Sequence, residues 1–121
     1  MAAKHAEALM RVRKRHSIDF ENWPQADRQY WQQAFAAAMF LTAAGKAAHW
    51  RPATARQVQK GYSLWLGFLV ARDLCDMSAE PWARVTEDNL RAYIEELQKR
   101  GLATTTIASR ITDLREAIRI M

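Results

Sequence analysis

Residues 51–72 read RPATARQVQKGYSLWLGFLVAR, and this stretch decides the fold. Val58, Tyr62, Trp65 and Leu69 recur at steps of four, three and four, which places them on one face of a helix. Pro52 suits a first helical turn, Thr54 is the expected N-cap, and the apolar pattern runs out near Arg72. The opposite face carries Arg56, Lys60, Ser63 and Gly67 at the same spacing, and the segment holds four bases with no acid. Ordinary soluble surfaces mix both signs, so an acid-free helix directs a positive field one way. Gly61 and Gly67 cost helix propensity, which predicts close approach of another backbone.

Outward from this seam the chain reads as helix throughout. No run alternates β-branched with polar residues, and Ala, Leu, Gln, Arg and Glu dominate. A first helix is expected from Trp23-Pro24 to Gly45, with Trp31, Ala34, Phe35, Ala38 and Leu41 inward. Met39 and Phe40 fall off that stripe, as core or as a patch for a neighbouring protomer, core being favoured. A loop from Asp73 to Val85 leads to a third helix capped by Thr86, followed by Glu87 and Asp88 at the positive end of the helix dipole. Its inner face is Leu90, Ile94 and Leu97, and Gly101 ends it in a left-handed conformation. The fourth helix opens at Thr104-Thr105-Thr106, with Thr104 as cap and Ile107, Ile111, Leu114 and Ile118 inward. Thr105, Thr106, Ser109 and Arg110 exceed what capping needs: hydroxyls beside free backbone N–H groups suit a phosphate, and an arginine suits a guanine edge.

Composition bounds the function classes. The chain has 121 residues, net charge +5 and one cysteine, Cys75, so no disulfide forms within it and Cys75 reads as a small buried hydrophobe. The longest apolar run, Ala34 to Leu41, is far shorter than the roughly 20 residues a bilayer helix needs. Residues 1–17 form a basic leader of flexible character, with Lys4, Arg11, Arg13, Lys14 and Arg15 against Glu7, and residues 18–121 form one helical domain. Residues 73–100 are net acidic, so the positive charge concentrates in the leader and in 51–72. His5, His16 and His49 lack partners at metal-ligand spacing, and the four glycines make no phosphate loop. Tyr30, Tyr62 and Tyr93 read as core or boundary aromatics. No cofactor is expected.

The ordered set Thr54, Tyr62, Trp65-Leu66, Phe68, Val85-Thr86, Tyr93-Ile94, Leu97, Gly101 to Ile107 and Leu114-Arg115 resembles the N-terminal core-binding domain of tyrosine recombinases, the SAM-like phage-integrase domain. The likeness covers residues 51–121, and Trp23-Pro24, Asp27, Trp31 and Ala47 to Thr54 look like the leader of bacterial site-specific integrases. The resemblance implies a small orthogonal bundle of four or five helices that forms half of a clamp on duplex DNA. It implies that the second and fourth helices cross the major groove, which lands on Arg56, Lys60, Thr105, Thr106, Ser109 and Arg110. Arg51, Thr54, Ser63 and Thr104 complete the candidate DNA-binding set. Many relatives carry lysine where this chain has Thr105.

The catalytic elements of that family, Arg, His-x-x-Arg and a nucleophilic Tyr, belong to a separate domain. His5, His16 and His49 are followed three residues later by Ala8, Asp19 and Pro52, so no His-x-x-Arg is present and this chain is not expected to be an enzyme. It reads as a piece of a longer recombinase, cytoplasmic and on the nucleoid when bound. Its expected partners are double-stranded DNA and, on DNA, protomers of the same recombinase; alone it is expected to be a monomer or weak dimer, away from membranes. The alternative is a helical protein-interaction module without DNA binding.

Overall fold

The computed structural model describes residues 17–36 and 45–121. Among these the chain is all-α: Gln25–Ala34 (α1), Pro52–Ala71 (α2), Glu87–Lys99 (α3) and Thr104–Ile120 (α4), with short 3-10 turns at Phe20–Asn22 and Pro81–Arg84. No described helix is long and apolar enough to cross a membrane.

The seam of α2 is the centre of the core, with Val58, Tyr62, Trp65 and Leu69 all buried. Its first half leaves Arg56 and Lys60 exposed, whereas from Gly61 to Leu69 every residue but the half-buried Leu64 is buried, Ser63, Leu66, Gly67 and Phe68 included. The segment before α1 covers Ser63. Ile18 N–H donates to the Ser63 carbonyl at 3.2 Å, and Trp23 Nε1 donates to Ser63 Oγ at 3.0 Å. Trp23 also packs edge-on against Tyr62 and Trp31, at 4.9 and 5.5 Å between ring centroids.

Three helix boundaries differ from the sequence expectation. Arg51 is the N-cap residue of α2 and Pro52 its first residue, so Thr54 sits inside the first turn. Ala103 precedes α4 as N-cap, and Thr104 is already helical. Proline's fixed φ starts α2 on its own, and neither site has a side-chain cap bond. Third, α1 stops at Ala34 rather than Gly45, because the returning chain takes its last carbonyls: Ala47 N–H donates to Ala34 O at 2.7 Å and Gly45 N–H to Ala36 O at 2.9 Å. A Cβ on Gly45 would land on the Gln33 and Ala34 carbonyls, so only glycine fits. Ala38, Met39, Phe40 and Leu41 lie outside the described residues.

Thr86 caps α3, its hydroxyl accepting from Asn89 N–H at 3.1 Å. Gly101, at φ 77°, closes α3, with Leu102 N–H bonded to Leu97 O and Gly101 N–H to Gln98 O. Asp73, at φ 56°, ends α2 in the same way, through Leu74 N–H to Leu69 O. The buried stripes are rotated from expectation. On α3 they are Tyr93 and Leu97, with Leu90 and Ile94 half-buried; on α4 they are Leu114, Ala117 and Ile120, with Ile107, Ile111 and Ile118 half-buried.

α2 and α4 make the closest helix pair. A Cβ on Gly61 would lie 2.5 Å from Asp113 Cβ, which is the close approach its glycine anticipates. α4 begins four residues after α3, whose Glu96 pairs with Arg72 at the end of α2, and its Arg119 carbonyl accepts from Lys46 Nζ ahead of α2. The two helices therefore run antiparallel.

A charge network lies beneath the 73–85 loop. Arg84 Nη1 meets Asp27 Oδ2 at 2.6 Å, and the same oxygen accepts from the Tyr62 hydroxyl at 2.5 Å. Arg84 Nε donates to the Asp76 carbonyl at 2.8 Å and Nη2 to the Ala79 carbonyl at 2.7 Å. One guanidinium thus ties α1, α2 and the loop together. Cys75, half-buried beside this network, has its thiol pushed up by burial.

Candidate nucleic-acid interface

Gly61 opposite Asp113 fixes the register of the two candidate helices, so positions along them can be read from the helical rise. Arg51 lies about 15 Å to one side of that point and Thr104 about 14 Å to the other, a spread of about 30 Å. Lys60 and Ser109 occupy the middle, with Arg51, Thr54 and Arg56 towards one end and Thr104, Thr105 and Thr106 towards the other.

Helical geometry decides which of these share a face. On α2 the core lies towards Val58, Tyr62 and Trp65, and Arg56 and Lys60 stand on the far side. On α4 the core lies towards Leu114 and Ala117, and 100° steps carry Ser109 and Thr105 to the same solvent side as Lys60. Those four side chains make one exposed strip; Arg51, nine residues before Lys60, falls about 180° away on the α2 wheel and is exposed at the start of the helix.

Two more candidates leave the strip. Ser63 is 9% exposed and accepts the Trp23 indole N–H, so the cationic row ends at Lys60. Arg110 turns the other way, half-buried towards the Tyr93 hydroxyl of α3, with Nη1 buried and no well-aligned hydrogen bond. Burial raises the Tyr93 pKa, and the Arg110 guanidinium opposes that rise. Thr54 and Thr104 remain exposed as first-turn residues, and Thr106 is exposed near the α2 seam.

The charges on the strip are available. Among the described residues no ion pair engages Arg51, Arg56 or Lys60, whereas Arg72 and Arg100 pair with Glu96, Arg91 with Glu87, Arg119 with Glu116 and Arg84 with Asp27. Asp113 interrupts the strip at its centre. It is half-buried and accepts from Gln57 Nε2 at 3.4 Å, and burial raises its pKa. Glu116 is neutralised by Arg119 at 2.6 Å.

No family model, curated protein or solved structure matches this chain. Its function is therefore read from the arrangement of its own side chains. A cleft of about 120 Å³ lies beside the strip, lined by Trp31, Phe35, Ala55, Arg56 and Gln59. Among the described residues no three of His, Cys, Asp or Glu converge as a metal site needs.

Sequence reasoning missed the Asp27–Arg84 pair, whose partners stand 57 positions apart with no local pattern to join them. It also missed the outward face of the 73–85 loop, where Leu74, Met77 and Trp82 are exposed. The available signal there was the acidic balance of residues 73–100.

Proposed function

We propose that this chain binds duplex DNA through the strip formed by Arg56, Lys60, Thr105 and Ser109, as the SAM-like core-binding domain of a tyrosine recombinase. The observation that carries the reading is that, among the described residues, Arg56 and Lys60 stand unpaired on one exposed face beside the hydroxyls of Thr105 and Ser109, whereas Arg72, Arg91, Arg100 and Arg119 hold carboxylates. Guanidinium and ammonium groups neutralise phosphates and release condensed counterions, and the hydroxyls of Thr105 and Ser109 donate to phosphate oxygens. From Arg56 to Thr105 the strip spans about 20 Å, more than half of the roughly 34 Å turn of B-DNA, so it meets more than a single phosphate.

Such contacts position the chain more than they read sequence, and Arg110, held against α3, is poorly placed to add base readout from the same face. Binding is accordingly weak and of low specificity, with a dissociation constant on the order of 10⁻⁴ to 10⁻⁶ M at physiological salt. Strand cleavage belongs to a separate domain, and partner protomers assemble on the same DNA. Titration of labelled duplex at several salt concentrations tests the reading; absence of binding at low ionic strength favours a protein-interaction module instead.

A further inference from the structure

The 73–88 segment exposes apolar and acidic side chains together on a rigid support. Leu74, Met77 and Trp82 are 41%, 45% and 47% exposed, unusual for such side chains in one short loop. Asp73, Asp76, Glu80, Glu87 and Asp88 are exposed in the same segment, Glu87 pairing with Arg91, and the one base of the segment, Arg84, is buried against Asp27. The loop is also held in shape from below. Arg84 grips the Asp76 and Ala79 carbonyls, Asp76 accepts from Ser78 N–H and Oγ–H, and the Trp82 ring leans on Tyr30 at 5.3 Å. A preformed loop that exposes apolar side chains among acidic ones fits a basic segment that carries its own apolar side chains.

This chain contains such a segment outside the described residues. Residues 1–16 hold Lys4, Arg11, Arg13, Lys14 and Arg15 against Glu7, interleaved with Leu9, Met10 and Val12. We infer that this leader docks on the Leu74–Met77–Trp82 surface of its own chain. Reach allows it. The leader enters the fold at Ile18, bonded to Ser63; α2 ends at Ala71, eight residues beyond Ser63 and about 12 Å along the helix, with Leu74 three residues past that end, against a span of up to about 50 Å for sixteen extended residues. Tethering raises the leader's effective concentration at the loop to the millimolar range, on the order of 10⁻³ M, above what a second copy supplies in dilute solution. The inference stands apart from the DNA reading, because the loop and the Lys60 strip share no residue.

The test uses the full chain with Cys75→Ser and a nitroxide on Ala2→Cys, followed by amide NMR. The expected result is loss of most of the peak intensity at Leu74, Met77 and Trp82 in dilute, low-salt solution. Signals return at about 1 M salt, where charges are screened beyond about 3 Å, and in the combined variant Asp73→Asn, Glu80→Gln, Trp82→Ala. Asparagine tolerates the left-handed backbone at residue 73. Unbroadened loop signals in the tagged chain overturn the inference. So does equal broadening when tagged unlabelled chain is mixed with untagged labelled chain, which assigns the surface to the leader of another copy.

Discussion

The Arg84 guanidinium meets the Asp27 carboxylate at 2.6 Å with both side chains essentially removed from water. Tyr62 donates to the same carboxylate oxygen and the remaining guanidinium nitrogens hold loop carbonyls, while Asp27 Oδ1 is buried without a hydrogen bond among the described residues. Breaking the pair leaves an uncompensated buried charge. Arg84→Ala and Asp27→Ala are each expected to cost about 3–5 kcal/mol of folding stability, read as a shift in the urea midpoint. Replacing both residues together should cost less than the sum of the single changes, because each removes the charge the other orphans.

Tyr62 sets the alkaline limit. Burial, reinforced by the Asp27 carboxylate, holds its hydroxyl far above the ordinary tyrosine pKa, and burial raises Tyr93 as well. The folded chain therefore keeps protons that the unfolded chain releases near pH 10, so stability is fully present below that pH and falls above it. The expected slope is about 1.4 kcal/mol per pH unit for each of the two tyrosines. Urea midpoints between about pH 9 and pH 11 measure it, and Tyr62→Phe should remove one tyrosine's share of the slope.

Gly61→Ala tests the α2–α4 register. On helix propensity alone the change gains about 1 kcal/mol, yet the new methyl group would lie 2.5 Å from Asp113 Cβ, so the helices must part. Net destabilisation of about 1–2 kcal/mol is expected, as for other overpacked contacts. Thermal melting gives the sign.

Scaffold and strip separate cleanly on one helix. Trp65 is fully buried, and Trp65→Ala should cost about 3–5 kcal/mol through the cavity it leaves. Lys60→Ala should leave the melting temperature unchanged and act only on DNA binding. Ser63→Ala should do the reverse: it orphans the Trp23 indole N–H, costs about 1–3 kcal/mol and leaves the salt dependence of binding as it was.

The all-α class and the α2 seam were legible because three-four spacing of large apolar residues is a local signal. Thr86 and Gly101 were legible for the same reason, as cap chemistry needs only a few neighbouring residues. The end of α1 was not, because it depends on Gly45 and Ala47 returning to bond the Ala34–Ala36 carbonyls. Ser63 read as surface, since its wheel position continues the Arg56–Lys60 row; a separate segment carrying Ile18 and Trp23 covers it. Arg110 also sits at a helix start rich in hydroxyls, but its orientation depends on where α3 places Tyr93.

The most direct measurement is the salt dependence of duplex binding by the full chain and its Arg56→Ala, Lys60→Ala variant. The double variant should bind more weakly at every salt concentration, with the logarithmic salt slope reduced by about 2, about one for each lost phosphate contact, and with unchanged melting. A folded double variant whose affinity and slope equal those of the parent chain would show that DNA does not use this face.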